Sequence, residues 1–132
     1  ICGDLALQHD SNGWLIAGEA SPPLLVLLID NAGGGIFAQL PIASLASSSL
    51  DQLFAMPQRH DPLALAAAHG VPARQLSRLE DLQSALEWGL AQQRTALLRV
   101  CTDRTADADL RRQLREITAA ALQQSRGGTT EA

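Results

Sequence analysis

Lysine is absent from the 132 residues, and so is tyrosine. Without lysine, no Schiff base can form on a side-chain amine and a phosphate-binding P-loop lacks its cation. Aromatic residues make up 3% of the chain, and its ten basic residues, all arginine, are scattered. That leaves neither the basic stripe nor the stacking rings of a nucleic-acid-binding surface. Two cysteines, Cys2 and Cys101, are too few for a structural zinc site. Each lies in or beside an apolar stretch, so both are expected to be buried free thiols. The longest strongly apolar run, Leu24 to Ile29, is strand-sized, far short of the ~20 residues that a membrane-spanning helix needs. No repeat and no linker divides the sequence.

What is present suits a packed α/β domain. Hydrophobic residues are 46% of the chain, and the net charge is mildly acidic at −4. The length suits one domain or a piece of one. The start, Ile1-Cys2-Gly3-Asp4, has no methionine, basic region or signal-like stretch. It reads as the end of a strand that begins upstream, so the chain is expected to be the N-terminally truncated, C-terminal part of a longer protein. A helix is expected over Leu5 to Ala17, with Leu7, Trp14 and Leu15 inward, broken by Gly18 and Ser21-Pro22-Pro23. Leu24 to Ile29 is apolar without alternation, as in a parallel strand buried on both faces. A short helix is expected near Leu50 to Ala55. Asp61-Pro62 opens a helix over Leu63–His69 that stops at Gly70. Ala73 to Leu76 and Ala96 to Cys101 suit strands.

Ser77-Arg78-Leu79-Glu80 matches a capping box, and Leu82, Leu86 and Leu90 predict a helix from about Arg78 to Gln92. A last helix from about Asp107 carries Leu110, Leu114, Ile117 and Ala121 on one face. Residues 1–125 form the expected domain and 126–132 a loose tail. The alternation predicts a parallel sheet flanked by helices.

Two motifs carry the chemistry. Gly3-Asp4-Leu5 stands where the first strand passes into its helix. Asp30-Asn31-Ala32-Gly33-Gly34-Gly35-Ile36-Phe37 follows the apolar strand, with Asn31 placed 27 positions after Asp4. A βαβ unit of that length brings both to the carboxyl end of a parallel sheet, where ligands bind. Helix-start N–H groups and Gly3 suit a diphosphate. The Asp4 carboxylate would repel that anion unless a divalent cation stood between them. Mg2+ (or Mn2+) fits, with the Asp4 carboxylate, the Asn31 side-chain oxygen and a carbonyl near Gly33 as oxygen ligands.

The two motifs, with His9-Asp10-Ser11-Asn12-Gly13, Leu40-Pro41 and Met56-Pro57-Gln58, resemble the diphosphate-binding domain of thiamine diphosphate enzymes. Within these, the pattern is most similar to the 2-succinyl-5-enolpyruvyl-6-hydroxy-3-cyclohexene-1-carboxylate synthase family. The motif-bearing resemblance covers residues 1 to about 60. It implies a thiamine-diphosphate-binding fold and a cytoplasmic homo-oligomer. The implied activity decarboxylates 2-oxoglutarate and adds the succinyl unit to isochorismate in menaquinone biosynthesis. It implies that Asp4, Asn31 and the Gly33 carbonyl hold the metal, and that Gly3, Leu5 and Ala6 face the diphosphate. Ile36, Phe37 and Leu40 would line the substrate site. Ala6 stands where a small hydroxyl residue is common, Ala32 where asparagine is frequent, and Asp30 where another asparagine often sits. The glutamate that activates the aminopyrimidine in this family lies on another domain, usually of a second subunit. No catalytic residue is therefore assigned here, and the chain alone is expected to be inert.

Two other readings stay open. One is another thiamine-diphosphate-dependent 2-oxo acid decarboxylase or acetolactate-type enzyme. The other is a non-enzymatic nucleotide-binding module, whose ligand would not depend on magnesium. The remaining polar residues have plainer roles. His9-Asp10 is expected to cap or pack. His60 and His69 lack metal-ligand spacing, and Trp14 and Trp88 suit core or interface positions. Asp103, Asp107 and Asp109 suit the solvated start of a helix, and Arg111, Arg112 and Arg115 an exposed face.

Overall fold

A computed structural model of the chain describes residues 1–17, 22–44 and 47–127. Four parallel strands form one sheet in the order β1-β2-β4-β3. They are β1 (Cys2–Gly3), β2 (Leu25–Asp30), β3 (Ala73–Leu76) and β4 (Ala96–Cys101). The helices are α1 (Asp4–His9), α2 (Ser47–Leu50), α3 (Pro62–Ala68), α4 (Leu82–Ala91) and α5 (Arg104–Gly127). Strand and helix alternate, so each parallel pair is joined by a crossover.

Leu28, Leu97 and Leu98 are fully buried at the centre of the sheet. Leu28 and Leu97 share a cluster with Leu7, Trp14, Ala66 and Val71. Burying each such leucine contributes about 1.5–3 kcal/mol. β2 is only partly covered outside Leu28, so the expectation of burial on both faces holds at its centre and not along its length. Asp61 caps α3 by accepting the Leu63 N–H (3.0 Å), and Pro62 occupies the first turn. Gly70 follows α3 in a left-handed conformation, φ +70°.

Several expected boundaries move. The first helix ends at His9 and continues as a 3₁₀ helix over Ser11–Ile16. Leu7 and Trp14 are buried as expected, but Leu15 is exposed because the tighter turn rotates it outward. Gly18 and Ser21, the expected breakers, lie outside the described residues. The segment after α2 is a π-turn, Asp51–Ala55.

The capping box does not form. Arg78 is extended, its guanidinium pairs with Glu80, and a 3₁₀ turn (Leu79–Asp81) precedes α4. On α4 the buried residues are Ala85 and Gly89, while Leu90 is exposed. A Cβ on Gly89 would come within 2.5 Å of Leu25 Cδ1, so α4 lies close over β2. α5 starts three residues before the expected Asp107 and extends through Gly127, into the expected tail. Residues 128–132 of that tail lie outside the described residues. Both cysteines are free as expected, but neither is fully buried: Cys2 is half-buried and Cys101 is exposed at the end of β4. Burial raises the Cys2 thiol pKa, opposed by the terminal amine.

Candidate functional site

Gly3 is level with Ile29 in the β1–β2 register. The chain leaves both strands at the same sheet edge, with Asp4 across from Asp30 and Asn31 one residue further. The Asp4 carboxylate bridges the two loops. Its Oδ2 accepts the Gly33 N–H at 2.5 Å, and its Oδ1 accepts the Leu5 N–H at 3.0 Å.

The loop conformation explains the glycines. Gly33 has φ +111°, and a Cβ there would sit 2.1 Å from the Ala55 carbonyl oxygen. Only glycine fits that approach. A Cβ on Gly35 would come within 2.5 Å of Asn31 Nδ2 but 3.8 Å from Oδ1. The amide nitrogen of Asn31 therefore faces Gly35, and its oxygen is turned further from it. The π-turn supports the loop from behind, since Gly34 N–H donates to the Ala55 carbonyl (2.7 Å).

Electrostatics separate Asp4 from its neighbours. Asp30 pairs with Arg99 (2.7 Å) and Asp51 with Arg104 (2.5 Å). Among the described residues Asp4 has backbone N–H partners and no cationic one. A half-buried carboxylate at the sheet end with no ion-pair partner among the described residues suits an added cation. No cluster of three or more His, Cys, Asp or Glu side chains exists among the described residues. A metal at Asp4 would therefore draw on amide, backbone and phosphate oxygens, the donor set of a hard cation. The donor types suit the expected metal, although the Gly33 N–H is the group that faces Asp4 and the Gly33 carbonyl accepts the Gly35 N–H at 2.8 Å.

Two cavities flank the loop. Asp4, Gln8, Asp30, Ala32, His60 and Arg99 help to line one of about 110 Å³. Asn31, Gly35, Ile36, Gln39, Arg104, Asp107 and Arg111 line a cleft of about 380 Å³. Asp4 and Asn31 thus share an edge but open onto neighbouring spaces. Of the three expected apolar lining residues, Ile36 is in the Asn31 cleft. Phe37 packs on Phe54, with ring centroids 5.5 Å apart. Leu40 faces a separate hollow beside α5, with Leu50 and Ala108. Ala6 is exposed on the first turn of α1.

The other polar residues are largely local. His9 and Asp10 form a surface pair (2.7 Å), with side chains 87% and 82% exposed, so neither packs. His60 is exposed, and His69 meets the Trp14 ring edge-on at 5.9 Å. Trp88 is half-buried beneath Arg74. Asp103 caps α5 through the Ala106 N–H (2.7 Å). Asp107 accepts from Thr102 Oγ1, Asp109 pairs with Arg112, and Arg111, Arg112 and Arg115 are exposed.

Arg99 and Arg104 were not expected at the site. The available signal was Arg99 itself, a charge inside the apolar strand Ala96–Cys101, which needs an acidic partner when half-buried. Its partner Asp30 is 69 positions away, and that of Arg104, Asp51, is 53 away.

Residues 1–100 match the family model for the thiamine pyrophosphate enzyme, C-terminal TPP binding domain. The chain belongs to this family. It is 67% identical to the 2-succinyl-5-enolpyruvyl-6-hydroxy-3-cyclohexene-1-carboxylate synthase of Synechococcus sp. (strain CC9311), covering 96% of this chain and 21% of that protein. It is 69% identical to the synthase of the same name from Parasynechococcus marenigrum (strain WH8102), over 87% of this chain and 21% of the relative. The chain therefore spans about a fifth of the length of these relatives. The crystal structure of benzoylformate decarboxylase from Polynucleobacter necessarius aligns with a TM-score of 0.59 at 20% identity, over 77% of this chain and 19% of that one. That likeness is one of fold. The parallel α/β sheet and the TPP-binding domain agree with the sequence expectation. No helix among the described residues is long and apolar enough to cross a membrane.

Proposed function

We propose that residues 1–125 are the metal- and diphosphate-binding domain of a thiamine-diphosphate-dependent synthase of menaquinone biosynthesis. The full-length enzyme decarboxylates 2-oxoglutarate and adds the succinyl unit to isochorismate. The observation that carries the reading is the Asp4 carboxylate, which reaches across to Gly33 and has no cationic partner among the described residues. The identity of 67% to 69% with the named synthases supports this substrate pair over a pyruvate-type one.

In this reading Asp4, the Asn31 side-chain oxygen and the Gly33 carbonyl hold Mg2+ or Mn2+. Gly3, Leu5 and Ala6 present backbone to the diphosphate at the start of α1. When bound, thiamine diphosphate supplies an electron sink for decarboxylation. The chain's own task is to hold the cofactor's charged end and fix its orientation. Ile36, beside Asn31 in the cleft, supplies its apolar side, while Phe37 packs behind it on Phe54 and Leu40 faces a separate hollow. No residue of this chain is given a catalytic role. The aminopyrimidine-activating glutamate belongs to another domain, supplied by a second subunit of a cytoplasmic homo-oligomer. The chain alone is therefore inert.

The test uses the full-length protein with thiamine diphosphate and Mg2+, supplied with 2-oxoglutarate and isochorismate or with pyruvate. Turnover of the first pair and not of pyruvate is expected. Asp4→Asn should weaken metal-dependent cofactor binding by more than about 100-fold, beyond the range for residues that only support metal ligands. Unchanged, magnesium-independent binding would favour a nucleotide-binding module instead.

A further inference from the structure

Ala32 stands between Asn31 and Gly33, two of the three residues assigned to the metal, and its φ is +61°. Left-handed backbone disfavours a residue with a Cβ by about 1–2 kcal/mol, so something must hold Ala32 there. The structure holds it from both sides. Its N–H donates to Asp30 Oδ1 (3.2 Å), and the other oxygen of that carboxylate is gripped by Arg99 (2.7 Å and 2.8 Å). Its carbonyl accepts from Arg104 Nη1 (3.2 Å), while Arg104 Nη2 is fixed by Asp51 (2.5 Å). Both guanidiniums are largely buried, with side chains 23% and 18% exposed. One arginine comes from β4 and the other from the first residue of α5. Neither belongs to the two motifs.

We infer that Arg99 and Arg104 are positioning residues that clamp Ala32 in its left-handed conformation and thereby aim Asn31 and Gly33 at one metal ion. The inference rests on the reading that this loop holds the metal. A peptide unit rotated at Ala32 would swing the Asn31 side chain and the Gly33 backbone apart. The Asp4–Gly33 contact, at 2.5 Å, depends on the same rotation. Each guanidinium charge is matched by its own carboxylate, Asp30 for Arg99 and Asp51 for Arg104.

A thermodynamic cycle with glycine tests it. Glycine adopts positive φ without the Cβ penalty, so a loop with glycine at this position needs the clamp less. In the full-length protein, Mn2+ affinity in the presence of thiamine diphosphate is read by electron paramagnetic resonance. Arg104→Gln and Arg99→Gln are each expected to weaken it by about tenfold, the equivalent of about 1.4 kcal/mol. In the Ala32→Gly background the same changes should cost less than about threefold. Where a glutamine variant fails to fold, Arg104→Lys, which keeps the charge and loses the forked geometry, carries the same cycle.

No loss on removing either arginine overturns the inference. So does a loss that Ala32→Gly leaves undiminished, because an arginine that merely anchored α5 or β4 would give that result. Asp4→Asn separates the levels. If it abolishes metal binding while the cycle is flat, the clamp is wrong and the proposed site stands. If it leaves metal binding intact, the proposed site is wrong and the clamp falls with it.

Discussion

Ala32, Met56 and Gln93 have positive φ without being glycine among the described residues. Gln93 follows the last turn of α4, where a left-handed residue closes a helix and glycine is preferred. Nothing comparable to the Ala32 clamp is seen there. Gln93→Gly should therefore stabilise the chain by about 1 kcal/mol, measured as a shift in urea midpoint. Gly33→Ala should do the reverse. Its Cβ would collide with the Ala55 carbonyl oxygen in fixed backbone, and a loss of more than about 2 kcal/mol is expected. At this scale the sequence was legible where chemistry is local. Asp4 and Gly33 stand out by their own identities and by the strands that precede them, and the structure brings the two together. Arg99 and Arg104 do not, because their meaning comes from carboxylates remote in sequence that the sheet brings beside them.

Elements were legible where periodicity and punctuation agree. The β4 run and the Asp61-Pro62 helix start match the structure closely, because an apolar run and an N-cap followed by proline act locally. The capping box failed because Glu80 is held by Arg78 and Arg78 itself is extended. The leucine period marked the α4 helix correctly but not its buried face, because close approach to β2 selects small residues: Ala85 and Gly89 are buried, and the leucines flank them. Leu98→Ala in β4 should cost about 2–5 kcal/mol in urea unfolding, since Leu98 is completely buried.

α5 makes the opposite prediction. All its described side chains from Leu110 to Ser125 are exposed, including Leu110, Leu114, Ile117 and Leu122. Without tertiary packing, a helix gains little beyond its own propensity. Amides of residues 112–125 should exchange with solvent far faster than those of β4 in the isolated chain. Equal protection in hydrogen exchange would show that this face is covered.

The whole molecule carries surface that its own core does not cover. Its accessible area is 9217 Å², whereas a closed monomer of this mass would have about 6,700 Å². Ile1, Ile16, Ile36, Leu79 and the α5 face are among the exposed large apolar residues. Such a surface is typical of a binding face. The isolated chain should self-associate with rising concentration in sedimentation velocity, and a strictly monomeric species across that range would argue against it. The architecture was legible as a parallel α/β sheet, but its strand order was not. Nothing in the local sequence says that β4 inserts between β2 and β3.

In the proposed site Asp4, Asn31 and Gly33 meet on one divalent ion. Anomalous scattering from Mn2+ in crystals of the full-length protein with thiamine diphosphate tests it most directly. One peak is expected, within roughly 2.5 Å of the Asp4 carboxylate, the Asn31 side-chain oxygen and the Gly33 carbonyl. A diphosphate bound with the manganese elsewhere, or with none beside Asp4, would contradict it.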